Sequence, residues 1–140
     1  MVSTKQKDKS TIKLKDLRAT ISVKDFESKG FSIKAFVLDR IKSKLPVQLG
    51  IGKTKKDNQS FFDVVASKCQ KETEFLNSEL PILELIFRIL LLKKNNPTKI
   101  KELYRIIADE LATPYRPMTI SMEQLMSQIN HDSYYSLVIL

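Results

Sequence analysis

The stretch LPILELIFRILLLKK, residues 80–94, decides how this chain is read. Nearly every position from Leu80 to Leu92 is apolar. The exceptions are Pro81, which the first turn of a helix tolerates, and Glu84 with Arg88. Those two lie four residues apart, on one narrow stripe, in the favourable acid-before-base order. A helix apolar almost all round belongs at the centre of a domain, covered by other elements. The run is too short for a bilayer and carries two charges, so it reads as core and no membrane partner is expected. Asn77 or Ser78 is placed to cap it. The fold class that follows is mostly α: a helical bundle around a buried central helix.

Composition sets the outer bounds. The 140 residues are 42% hydrophobic and 29% charged, enough for one domain with its own core and no staples. A single cysteine, Cys69, excludes an internal disulfide framework and suits a reducing compartment. The opening Met-Val-Ser-Thr-Lys-Gln-Lys-Asp has no apolar signal region, so a cytoplasmic location is expected. The net charge of +8 is unevenly spread. Residues 1–56 hold 15 Lys and Arg against 5 Asp and Glu, a net +10, whereas residues 57–140 hold 9 against 11, a net −2. Such asymmetry points to a polyanion, nucleic acid first and an anionic membrane second. A lysine-rich solvated leader is the plain alternative.

Toward the N-terminus, residues 31–45 place Phe31, Ala35, Leu38, Ile41 or Lys42, and Leu45 along one helical stripe, widened by Phe36 and Val37, and Pro46 ends it. Residues 46–60, with Gly50, Gly52 and the lysines around residue 55, read as a loop. Ahead of the helix, TIKLKDL and TISVKDF alternate apolar and polar residues as half-buried strands do. IKLKDL also aligns over ISVKDF at an offset of nine, so a hairpin or an extended arm is expected. Residues 1–30 are thus a basic arm, partly disordered, and residues 31–140 a single helical domain.

Toward the C-terminus, Ser60 is placed to cap a helix with Phe62, Val65, Cys69, Thr73 and Leu76 on one face. Asn95-Asn96-Pro97 ends the hub and puts proline in the first turn of the next helix, residues 98–112. There Ile100, Leu103, Tyr104, Ile107 and Leu111 recur at i, i+3, i+4, i+7 and i+11. After the stiff Thr113-Pro114-Tyr115-Arg116-Pro117 connection, Ser121 and Gln124 match a capping box, with Ile120 and Leu125 set for a hydrophobic staple. Met122, Leu125, Met126 and Ile129 supply that helix's buried face. The tail SYYSLVIL, β-branched and aromatic, reads as a short terminal strand.

This order over residues 80–140, and the segment KKNNPTKIKELYRIIADEL within it, resembles winged helix-turn-helix domains, including the HARE-HTH group found in a bacterial RNA polymerase delta subunit. The resemblance implies a DNA-binding, winged-helix-like C-terminal half whose recognition helix is SMEQLMSQIN. Two departures matter. Only one strand follows that helix, so a two-stranded wing is incomplete. The helix also carries no Lys or Arg and has Glu123 near its start, where phosphates would lie. Gln124, Ser127 and Gln128 could touch bases, but the phosphate-binding charge is missing locally. A winged helix here is therefore expected to make protein contacts, with nucleic-acid affinity supplied by residues 1–56.

Catalytic motifs fail on their own terms. Gly50-Ile51-Gly52-Lys53-Thr54 contains the Gly-Lys-Thr of a P-loop, but the glycine needed five residues before Gly52 is Val47, and no strand precedes it. His131-Asp132 imitates a phosphohydrolase dipeptide without the further histidines. One histidine and one cysteine cannot build a typical zinc site. Cys69 follows Val65 and Ala66 by one turn with no base placed beside it, which means packing. No enzyme, cofactor or metal is expected. The expected function is that of a non-enzymatic nucleic-acid-associated binding protein. Its cations Lys5, Lys7, Lys9, Lys13, Lys15, Arg18, Lys24, Lys53, Lys55 and Lys56 would neutralise the phosphates of DNA or RNA without reading sequence. The helical half would dock to itself, as a homo-oligomer, or to another protein through Tyr134, Tyr135, Leu137 and Ile139 on an apolar edge strand. The rival is a protein-interaction or assembly module with no nucleic-acid role.

Overall fold

The structure is a computed structural model that describes residues 16–52 and 55–140. Its elements are β1 (Arg18–Ile21), α1 (Val23–Ser28), α2 (Ile33–Leu38), α3 (Lys55–Cys69), α4 (Ile82–Leu92), β2 (Thr98–Lys99) and α5 (Ile100–Arg105). A π-helical turn (Ile106–Leu111), α6 (Met122–Asn130) and β3 (Leu137–Ile139) complete the chain. The fold is mostly helical with a small antiparallel sheet in the order β2-β1-β3.

The hub is α4. Leu85, Ile86, Phe87, Ile89, Leu90 and Leu91 are all buried, as a helix apolar on every side requires. Against it α3 packs Phe61, Phe62, Val65 and Cys69, and α5 and α6 bring Ile100, Leu103, Leu125 and Ile129 into the same core. Neither Asn77 nor Ser78 caps the hub. The cap position is Pro81, with no side-chain bond, and Asn77 instead accepts from the Glu79 amide in the preceding turn.

Glu84 is buried in this helix, 8% exposed, and the structure shows why that is tolerated. Arg88 donates Nε to Glu84 Oε2 at 2.8 Å, the predicted i,i+4 pair. Arg40, from the segment after α2, grips the same carboxylate with two bonds, Nε to Oε2 at 2.8 Å and Nη2 to Oε1 at 3.0 Å. Each guanidinium also donates to a backbone carbonyl, Arg40 to Phe36 and Arg88 to Phe75. Arg40 further lies 3.8 Å over the Phe36 ring. Burial works against the Glu84 carboxylate, but the bonds from Arg88 and Arg40 outweigh it and hold its pKa below the ordinary carboxylate value.

The N-terminal segments differ from expectation. The first alternating run lies almost wholly outside the described residues. In the second, only Arg18–Ile21 is strand; Ser22 then caps α1 by accepting from the Asp25 amide, and Phe26 enters the core. Capping chemistry over three residues overrides an alternation that short. No hairpin joins the two runs within the described residues. Instead β1 is the middle strand, with Arg18 opposite Lys99 and Ile21 opposite Leu137. Where β2 runs out, Asn95 completes the ladder: its side chain accepts from the Ile21 amide at 2.8 Å and donates to the Ile21 carbonyl at 2.9 Å. Asn95 stands at φ 55°, a left-handed conformation that asparagine tolerates. The expected boundary at residue 30 therefore falls inside the fold.

Three further helix details are corrected. α2 spans only Ile33–Leu38, capped by Ser32, and buries Ile33 and Val37. The predicted stripe is turned outward there, with Phe31, Ala35 and Leu38 exposed, while Ile41 and Leu45 are buried beyond the helix end. α3 begins five residues before Ser60, whose hydroxyl donates to the Lys56 carbonyl within the helix. Pro97 precedes β2 and does not enter a helical turn. The segment after α5 widens into a π turn, closed by Ala112 N–H to the Ile107 carbonyl at 2.8 Å. The capping box of α6 is present in both directions between Ser121 and Gln124.

Two variants test these contacts. Glu84→Gln leaves two buried guanidiniums sharing no carboxylate and is expected to cost about 3 kcal/mol in urea unfolding. Because Glu84 titrates lower in the folded than in the unfolded chain, the unfolded state binds the extra proton in acid. Its stabilisation is present above about pH 4.3, the unfolded value, and lost as pH falls through the folded value. The stability gap between wild type and Glu84→Gln should therefore narrow on acidification. Asn95→Ala strips partners from both backbone groups of buried Ile21 and is expected to lower stability by about 2 kcal/mol.

Candidate functional site

Of the ten cations expected to meet phosphate, Lys5, Lys7, Lys9, Lys13, Lys15 and Lys53 lie outside the described residues, as does the side chain of Lys55. The remaining three are exposed: Lys56 in the first turn of α3, Lys24 on α1 and Arg18 at the start of β1. Arg18 is the informative one. Its strand partner is Lys99, and side chains directly opposite in an antiparallel pair share one face of the sheet. Two cations thus stand side by side, with Asp16 bonded to Lys99 at 3.4 Å to offset their repulsion.

Lys99 was absent from the sequence-derived set because the −2 balance of residues 57–140 conceals a local run. KKNNPTKIK, residues 93–101, holds four lysines and no acid. Lys93 and Lys101 lie close enough to Glu102 to help Arg105, the main contributor, hold its carboxyl below the usual range. The pairing of β1 with β2 therefore joins the basic N-terminal half to a second basic strip that is 80 residues away in sequence. Window-by-window charge counting over ten residues is the signal that finds it.

The helix that would read bases offers little charge. α6 exposes Glu123, Gln124, Ser127, Gln128 and Asn130, and no cation. Gln124 is committed to the capping box, and the Ser127 carbonyl accepts from the His131 amide and lies 2.7 Å from His131 Nδ1. His131-Asp132 is thereby structural. Asp132 accepts from the Tyr134 and Tyr135 amides through Oδ1 and from Leu137 through Oδ2, which sets the entry into β3. On the other side of this turn, Ser136 donates to Asp25, and Lys29 bonds both Asp25 and the Ser133 carbonyl. These bonds tie α1 to β3.

The four residues expected to dock a partner part ways. Tyr134 is exposed, its ring 5.2 Å from Phe36 and 4.8 Å from Tyr135. Tyr135 is half-buried against Phe87, and burial together with the neighbouring Glu84 carboxylate pushes its hydroxyl up to about 12. Leu137 is 3% exposed and belongs to the core, so its side chain is closed to a partner. Ile139 is half-buried. Among the described residues β3 is nonetheless an edge strand, bonded only to β1. The register directs the Leu137 and Ile139 backbone groups away from β1, and Asp132 already occupies the Leu137 amide. One end of the edge is closed by a side chain.

Burial, with Glu72 adding to it, pushes the Cys69 thiol up to about 12, far from a thiolate at neutral pH. Among the described residues no group of three His, Cys, Asp or Glu side chains is placed to hold a metal ion, and no helix is long and apolar enough to cross a membrane. No protein-family model matches the chain, and no curated protein or solved structure is significantly similar to it.

Proposed function

We propose that the protein is a non-enzymatic nucleic-acid-associated binding protein that contacts phosphates through its basic N-terminal half and other proteins through its helical half. The observation that carries this reading is the +10 against −2 charge split, together with the Arg18–Lys99 pairing that sets a second basic strip beside the first. A winged-helix-like C-terminal half is supported by the succession α4, β2, α5, α6, β3. The strand missing after β3 has a counterpart in β1, which enters from the N-terminal side and pairs with both β2 and β3. The chemistry of such an interface is sequence-tolerant phosphate neutralisation, since α6 lacks the cations that would anchor base readout.

A protein-interaction module without a nucleic-acid role is the second reading. It is favoured by an apolar groove of about 420 Å³ among Leu80, Ile82, Leu85, Ile107, Leu111 and Met118. The exposed rings and side chains of Phe31, Tyr134 and Val47 point the same way.

The deciding experiment is a salt titration of binding to a random-sequence duplex and to a single strand. The truncation must stop before Asp16, because removing residues through 30 would delete the central strand and Phe26 from the core. Full-length protein is expected to bind both nucleic acids with a steep loss of affinity as salt rises. Deleting residues 1–15, with their five lysines, should flatten the log–log slope on duplex by about four. Replacing Arg18 and Lys99 with alanine should flatten it by roughly two more. Binding indifferent to salt, or a slope unchanged by the deletion, would contradict the proposal; absence of binding would favour the interaction module.

A further inference from the structure

Arg40 and Arg88 share the single carboxylate of Glu84, so the cluster at the hub carries one positive charge in excess. Their side chains are only 9% and 15% exposed, and a charge in excess of its ion-pair partner at that depth is stabilised by further anionic groups nearby. Directly over them opens a crater of about 340 Å³, lined by Arg40, Lys42, Lys71, Glu72, Glu74 and Arg88. Arg88 spends Nε on Glu84 and Nη1 on the Phe75 carbonyl, while its Nη2 meets no acceptor among the described residues. Lys42 and Lys71 form no ion pair among those residues. Glu72 accepts from the Lys42 amide through one oxygen, and its other oxygen is buried with no hydrogen-bond partner among the described residues, so this carboxylate is itself part of the crater's charge balance. Counting all four cations lining the crater against Glu72, Glu74 and Glu84, the site keeps a net +1.

We propose that this crater binds a phosphate oxyanion, held by the free guanidinium edge of Arg88 and closed over by Lys42 and Lys71. A nearly buried, pre-oriented guanidinium offers directed N–H donors, whereas the two lysines act as mobile point charges at the rim. The volume admits a phosphate with a small substituent, and the single excess charge suits a monoanion or one backbone phosphodiester. The site stands apart from the N-terminal interface: none of its four cations belongs to the set proposed above for nucleic acid.

Isothermal titration of the full-length protein with inorganic phosphate, at fixed ionic strength with chloride as control, tests it. Amide chemical-shift mapping of the same titration locates the site. Saturable phosphate binding is expected, with shifts centred on residues 40–42, 71–75 and 88. The exposed pair Lys42→Ala and Lys71→Ala should leave the fold intact and weaken binding at least tenfold. Arg88→Lys should weaken it further while keeping a cation beside Glu84. A parallel titration with a short oligonucleotide separates the two sources of phosphate: loss of oligonucleotide affinity in the double lysine variant marks a backbone site, and retention with loss of inorganic phosphate marks a free-phosphate site. No saturable binding, shifts elsewhere, or binding unchanged in the double variant overturns the inference. Oligonucleotide binding that depends on residues 1–15 would stand regardless.

Discussion

The buried carboxylate of Glu84 is the constraint on which the rest of the architecture depends. It sits in the most apolar helix of the chain, where an unpaired charge would cost several kcal/mol. Its neutralisation recruits one partner from its own helix, Arg88, and one from 44 residues upstream, Arg40. Arg40 in turn fixes the Phe36 ring, which packs against Phe26, Phe87 and both tyrosines ahead of β3. One ionic contact thereby registers α2, α4 and the C-terminal strand against each other. It specifies geometry more than it adds net stability, because an apolar substitute of similar volume would bury as well.

The sheet supplies the second long-range tie. Three short strands, none longer than four residues, would not persist alone. They do so because β1 is satisfied along both edges, by β2 and the Asn95 side chain on one and by β3 on the other. Asp132 and the Asp25–Lys29–Ser136 set then fix the turn that leads into β3. Arg18 is consequently anchored in the central strand of the sheet, opposite Lys99.

That arrangement changes how the charge is understood. Counted by halves, the lysines form an arm attached to a neutral body. Folded, Arg18 and Lys99 make one basic face from two halves, and a further group of cations, Arg40, Lys42, Lys71 and Arg88, gathers around a crater that no linear window shows. The function proposed for this protein rests on such assembled charge, whereas His131 lies against the Ser127 carbonyl and Cys69 packs in the core.

What the sequence by itself determined is what interactions within a few residues control. The buried hub, the Glu84–Arg88 pair, the capping box at Ser121 and the periodic face of Ile100, Leu103 and Ile107 were all legible, because helical spacing and caps act over three or four positions. Only tertiary structure decided the rest. An alternating run became half strand and half helix once Ser22 capped α1, and the apolar stripe of α2 turned outward because Ile33 and Val37 won the core. The partners of β1, the third member of the Glu84 cluster and the face shared by Arg18 and Lys99 rest on contacts spanning 44 to 120 residues. Such pairings depend on where the packed hub places each segment, and no local pattern encodes that.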